Sequence, residues 1–194
     1  MRKDLISSAV AVVALTAIFG IAYPLVITGV SQVLFPNKAG GSQIELNGRV
    51  VGSRLLGQDF SKAPGLFQTR PSPTGDNPAG TAFSNLGPNS KELRDNIAKN
   101  ARAYLRREGR YNPGLTLKAI PPDAVQTSAS GVDPQISVAN ARIQAGRVAA
   151  LNRISKARVL ALVKANTDDR SLGLLGEPGV NVLELNLAIQ EARR

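Results

Sequence analysis

Between Asp4 and Lys38 run 33 residues without a formal charge, and no other stretch of the 194-residue chain limits its fold so tightly. Leu5 to Val30 is mostly Ala, Val, Ile and Leu, broken by hydroxyl residues, Gly20, Tyr23 and Pro24. A helix of that length reaches about 39 Å at 1.5 Å per residue. The hydrocarbon core of a bilayer is about 30 Å thick. The run therefore predicts a membrane-spanning helix with length to spare for tilt, and Pro24 predicts its kink. A cleaved signal peptide fits poorly, because its apolar region would be roughly 7–15 residues and would lead into a small-residue cleavage site. Ser31-Gln-Val-Leu-Phe-Pro36 is no such site. A buried helix is rarely apolar on every face over such a length. Small residues along the run, Ser8, Ala11, Thr16, Gly20, Thr28 and Gly29, would let a partner helix approach closely in lipid.

Around this helix the expected organisation is a tail over 1–4, an anchor helix over 5–35, a polar linker over 36–43 and a soluble domain over 44–194. Arg2 and Lys3 precede the helix and Lys38 follows it. This small bias of the positive-inside rule favours the N-terminus in the cytoplasm and the domain outside.

Composition removes many chemistries. The chain has no Cys and no His. That excludes disulfides, thiolate zinc sites, Cys nucleophiles and Ser-His-Asp triads. Twenty-four Lys and Arg against fourteen Asp and Glu leave a net charge of +10, which suits anionic partners or lipid headgroups. Aromatics are only 4% and Trp is absent, so base stacking on single-stranded nucleic acid is poorly served, and no nucleic-acid partner is expected.

In the soluble part, Ile44 to Phe60 reads as strand material turning at Asn47-Gly48, a good hairpin signal. Residues 64–88 hold five of the twelve prolines and predict a long loop. Ser90 to Arg107 predicts an amphipathic helix with Leu93, Ile97, Ala101, Tyr104 and Leu105 on one face, and Asn89 and Glu92 at capping-box spacing. Ala124–Ser128 could form a strand. A helix is expected from Ser137 to about Asn152, and another behind a Ser155 cap. Asn181 and Glu184 again have capping-box spacing before Leu185, Leu187 and Ile189, although that segment also alternates and leaves a strand open. The fold class predicted is a mixed α/β soluble domain behind a single N-terminal transmembrane helix.

No catalytic constellation stands out. Carboxylates are scattered, and Gly173-Leu-Leu-Gly176 is neither a dinucleotide nor a phosphate loop. The enzyme alternative is a membrane-anchored extracytoplasmic Ser-Lys peptidase, which would need a desolvated lysine among Lys62, Lys91, Lys118, Lys156 and Lys164. Thr127 to Ser137 reads as a turn leading into a Ser137-capped helix, or as a cradle of amides and hydroxyls for a polar ligand. Arg70 before Pro71 reads as a structural ion-pair donor or an interface anchor.

Taken in order, several segments resemble one known family. They are the apolar helix with Tyr23-Pro24, Asn47–Gln58, Phe67-Gln-Thr-Arg-Pro-Ser72, Ser84-Asn-Leu-Gly-Pro88, Pro122-Asp123, Thr127–Ser137 and Leu172–Leu187. In register over most of the chain, they resemble the C subunit of the bacterial Kdp high-affinity potassium-transporting P-type ATPase. The chain departs from that family's pattern at Thr81-Ala82-Phe83, at Ala129 and Val132, and at Gln135, where a His is common.

The resemblance implies an accessory, non-catalytic subunit in the inner membrane. Its partners would be membrane lipid, a potassium-channel-like subunit and an ATP-hydrolysing subunit. It implies stabilisation of the assembly and a catalytic-chaperone role that raises the ATP affinity of the hydrolysing subunit. No firmly bound cofactor is implied: ATP would be met through that subunit, and potassium is the transported ion. Arg70, Ser84, Asn85, Ser128, Ser130, Asp133 and Gln135 lie in the matching motifs and are the expected ligand or partner contacts. An outside domain could influence ATP only through a coupling free energy, typically about 1–3 kcal/mol. An inside domain could touch nucleotide directly through Gln135 or the hydroxyls of 127–137.

Overall fold

The uncharged run folds within one continuous helix, Arg2–Leu34, whose most apolar 18 residues have a mean hydropathy of 2.4 and which has no buried residue. This is long and apolar enough to cross a membrane. It comprises α1 (Arg2–Leu15), a π-helical stretch (Thr16–Ala22) and α2 (Tyr23–Leu34). The wide turns have a local cause. Pro24 lacks an N–H and its ring crowds the carbonyl four residues back, and the Tyr23 N–H reaches the Ile18 carbonyl, five residues back. The computed structural model describes residues 1–193.

The polar linker contains a helical turn, α3 (Pro36–Ala39). An antiparallel hairpin follows, β1 (Gln43–Leu46) and β2 (Arg49–Ser53). Asn47 at φ 53° and Gly48 at φ 74° make the tight turn that their sequence predicts. The chain divides into two compact units, Met1–Ser53 and a second beginning at Arg54.

The second unit is built on four helices and a small sheet. They are α4 (Lys91–Glu108), α5 (Val138–Asn152), α6 (Lys156–Ala165) and α7 (Val182–Ala192). The strands β3 (Gln135–Ser137), β4 (Thr167–Asp168) and β5 (Gly179–Asn181) pair antiparallel in the order β3-β5-β4. Each helix begins at a side-chain cap. Ser90, Ser137, Ser155 and Asn181 accept from the backbone N–H three residues on. The α4 cap is Ser90, one residue beyond the expected Asn89. Residues 182–192 form a helix, resolving the helix-or-strand ambiguity: Val182, Leu185 and Ile189 are fully buried at helical spacing. Residues 124–128 do not form the expected strand. Their backbone groups are engaged otherwise, Val125 N–H with the Pro122 carbonyl and Ser128 N–H with the Pro71 carbonyl.

The main core gathers Ile136, Val148, Val159, Val180, Leu185 and Ile189 with Phe67. Each such side chain is worth about 1.5–3 kcal/mol when fully buried. A second cluster packs Tyr104 against Ala124 and Val125. Between α4 and α5 lies a buried ion pair. The Arg147 guanidinium donates to Glu108 at 2.9 Å, to the Leu66 carbonyl at 2.9 Å, to Gln144 at 2.9 Å and to the Pro64 carbonyl. Burial lowers the Arg147 pKa, and the Glu108 carboxylate opposes that shift. A buried charge persists in this way only when its partners meet nearly every donor.

Candidate functional site

The segment Phe67–Ser72 is irregular, yet its first residues run through the core. A buried irregular backbone must find hydrogen-bond partners. Two amides from α5 and α7 provide them. Asn186 accepts from Phe67 N–H at 2.7 Å and donates to the Phe67 carbonyl at 2.9 Å. Gln144 does the same for Gln68, at 2.8 and 3.1 Å. Held so, Gln68–Ser72 forms a wall of a cavity of about 370 Å³ that also takes in Asp59, Asp76, Asn100, Tyr104 and Arg107.

Arg70 is the hub. Its guanidinium donates to Asp133 at 2.9 Å and to the Thr127 carbonyl at 3.4 Å. Its Nε is buried without a partner among the described residues. Next to it, the Ser72 hydroxyl donates to the Gly131 carbonyl at 2.6 Å and accepts from the Thr74 and Asp76 N–H groups. Ser128 accepts from Gly131 N–H at 3.0 Å, and Ser130 from Val132 N–H at 3.2 Å. Gly131 sits at φ 78°, and a Cβ there would lie 2.8 Å from the Thr74 hydroxyl. The two loops therefore lock together through a position that only glycine fits.

From Asp133 the network continues. Asp133 accepts from Gln135 N–H at 3.1 Å, and the Gln135 amide donates to Asp168 at 2.8 Å. Asp168 and Glu184 share Arg54, whose pKa those two hydrogen bonds raise. The cavity's carboxyls differ. Hydrogen bonds from the Ser61 hydroxyl and N–H lower the Asp59 pKa. Burial raises that of Asp76, against a hydrogen bond from Thr69. Tyr104, buried beside Glu108, is raised as well, and its hydroxyl donates to Asn140 at 2.8 Å.

Five of the residues singled out in sequence, Arg70, Ser128, Ser130, Asp133 and Gln135, thus join one network. Their polar groups are engaged mainly with each other and with the backbone. Ser84 and Asn85 are exposed on the irregular 80–86 stretch, and no hydrogen bond among the described residues ties them to this network. Sequence reasoning missed Gln144, Asn186, Arg54 and Asp168. For Gln144 and Asn186 the available signal was a polar side chain in helical register with apolar ones, Ala141 and Val148 in one case and Val182 and Ile189 in the other.

The arrangement can hold a polar group against a guanidinium, but it does not assemble a nucleophile with a base. Lys62, Lys91, Lys118, Lys156 and Lys164 are all exposed, and Lys91 is paired with Asp95 at 2.5 Å. A Ser-Lys peptidase needs a lysine that burial keeps neutral, so the peptidase alternative finds no support. Among the described residues no group of three or more Asp or Glu is placed to hold a metal ion.

Comparison with known proteins agrees with the motifs. A family model described as K+-transporting ATPase, c chain (KdpC) matches residues 5–191. The potassium-transporting ATPase KdpC subunit of Koribacter versatilis is 42% identical over 189 residues, covering 96% of this chain and 94% of that protein. Its namesake in Mycobacterium tuberculosis is 45% identical over 191 residues, covering 97% and 98%. That of Methylibium petroleiphilum is 46% identical over 196 aligned residues, covering both chains completely. Helix, hairpin and network all fall within the matched residues 5–191, and on that ground the chain belongs to the KdpC family, the c chain of the K+-transporting ATPase.

Proposed function

We propose that this chain is an accessory, non-catalytic subunit of an ATP-driven potassium uptake complex. It is anchored in the inner membrane by Arg2–Leu34 and carries its soluble domain outside the cytoplasm. Its partners are a potassium-channel-like subunit and an ATP-hydrolysing subunit. It stabilises their assembly and raises the ATP affinity of the hydrolysing subunit. The observation that carries this reading is the family match over residues 5–191, which takes in the anchor and the domain together.

With the domain outside, the effect on ATP is indirect. Arg70, Ser128, Ser130, Asp133 and Gln135 then act by holding the 67–72 and 127–137 segments as one contact surface, and the exposed Ser84 and Asn85 are partner contacts separate from it. The helix and the partner subunits relay the coupling. A coupling of about 1–3 kcal/mol corresponds to roughly 5–150-fold in affinity, and it acts reciprocally. The test is equilibrium ATP binding to the complex purified with and without this chain. The expected result is ATP binding at least about fivefold tighter when the chain is present, with the chain itself bound more tightly in the presence of ATP. Equal ATP affinity in the two preparations would refute the chaperone role.

A further inference from the structure

A second concavity lies apart from the Arg70 network, and the function above does not use it. It is a groove of about 720 Å³ floored by Val138, Leu160 and Val163 and rimmed by Arg142, Lys156 and Lys164. The helical spacing of α6 builds it. Lys156, Leu160, Val163 and Lys164 fall at i, i+4, i+7 and i+8, so one face carries two aliphatic side chains with a lysine at either end. Arg142, Lys156 and Lys164 are exposed and have no ion-pair partner among the described residues. Asp169 is the one carboxylate on the rim. Thr167 and Asp169 come from the outer strand β4 and the residue after it, so the groove borders a sheet edge.

The chain between the groove's Asp169 and Pro178 forms a finger. A bridge between Ser171 and Leu175 closes it, and an Arg170–Glu177 pair at 2.8 Å clasps its base. Its tip presents Leu172, Leu174 and Leu175, exposed by 87, 69 and 55%. Leu172 is held at φ 55°, a conformation costly for a branched side chain. Three exposed leucines on a strained, clasped loop lie outside any core of this chain.

We propose that the groove and the leucine finger form one docking surface for an acidic, apolar-tipped segment of another subunit of the same complex. The inference rests on the subunit reading above. Three unpaired cations over an aliphatic floor call for an occupant with carboxylates beside apolar side chains. A small anion would leave the finger uncovered. A bilayer is too flat to enter the groove, whereas an extended peptide can follow it along the sheet edge. A second copy of this chain is disfavoured, since each carries a net charge of +10. Apolar anchors in the centre with charges at the rim are the usual anatomy of a protein interface.

The test titrates full-length chain into the complex purified without it. Four proteins are compared: wild type, Leu174→Ser, Lys156→Glu/Lys164→Glu, and the charge-matched control Lys99→Glu/Arg102→Glu on the exposed face of α4. The Leu174 and Lys156/Lys164 variants change exposed side chains and leave the core intact. Each is expected to weaken association at least about tenfold. The α4 control is expected to bind as wild type does. The Lys156/Lys164 variant should also lose most of the salt dependence of binding. Wild-type affinity in both groove and finger variants overturns the proposal. So does a loss of binding to phosphatidylglycerol vesicles by those variants with assembly unchanged, which would make the surface a lipid contact. A wild-type chain that fails to bind the complex overturns the subunit reading itself, and this inference with it.

Discussion

Asp59 and Asp76 line the same cavity, and their surroundings push them in opposite directions. Asp59 accepts hydrogen bonds from Ser61, which favour the carboxylate and lower its pKa. Asp76 is desolvated, which favours the neutral acid, and the Asp59 and Asp133 charges add to that rise. The linkage signs follow. The contribution of Asp59 to stability is present above its unfolded pKa and is lost as pH falls through its lower folded value. The contribution of Asp76 is complete below its unfolded pKa and is lost as pH rises through its higher folded value. At neutral pH the fold therefore carries a carboxylate it would rather protonate. Asp76→Asn, which keeps an acceptor for Thr69, is expected to be at least as stable as wild type at pH 7. It should lose ground to wild type as the medium is acidified through the Asp76 titration. Urea unfolding of the full-length chain in detergent across pH 3–7 reads this directly. A stability difference that does not change with pH would mean that Asp76 is not desolvated.

At the level of elements, the packing of α5 against the 109–112 turn can be tested at Gly146. Helix propensity alone favours Ala over Gly by about 1 kcal/mol. The structure opposes it: a Cβ at residue 146 would lie 2.9 Å from the Tyr111 carbonyl oxygen and 3.0 Å from the Asn112 side chain. Asn112 cannot easily yield, because its amide is tied to the Glu108 and Ile143 carbonyls at 2.9 Å each. Overpacking costs about 1–3 kcal/mol, so Gly146→Ala is expected to destabilise by about 1–2 kcal/mol. A higher urea midpoint for this variant would show that α5 and the 109–112 turn are not so closely apposed. Features of this kind were invisible in the sequence, while others were plain. The caps at Ser137, Ser155 and Asn181 could be read because a cap is written within four residues. The Asn47-Gly48 turn could be read for the same reason. The course of Phe67 and Gln68 through the core could not, because their partners Asn186 and Gln144 lie 119 and 76 residues away. Arg70 could be read as an ion-pair donor, but its partner Asp133, 63 residues away, could be named only as a separate candidate. The expected strand over 124–128 failed because β propensity says nothing of a competing partner such as the Pro71 carbonyl.

For the whole molecule, the decisive question is which side of the membrane the second unit occupies, since that fixes what it can touch. The charges at the ends of the helix are few: Arg2, Lys3 and Asp4 in its first turn and Lys38 beyond its last. They favour a cytoplasmic N-terminus by a small margin. ATP is cytoplasmic, so an outside domain makes every effect on ATP a coupling through the membrane, whereas an inside domain would permit direct contact by Gln135. The chain has no Cys, so single-Cys variants report cleanly. Ser42→Cys lies just beyond the helix and Lys3→Cys just before its apolar run. In intact cells that carry the assembled complex, a membrane-impermeant thiol reagent is expected to label the position-42 variant and spare the position-3 variant. The opposite pattern would invert the topology and turn the proposed ATP effect from relayed coupling into direct contact. It would also bring the groove and its leucine finger to the cytoplasmic side, so the acidic segment that occupies them would have to be sought on the cytoplasmic parts of the other subunits.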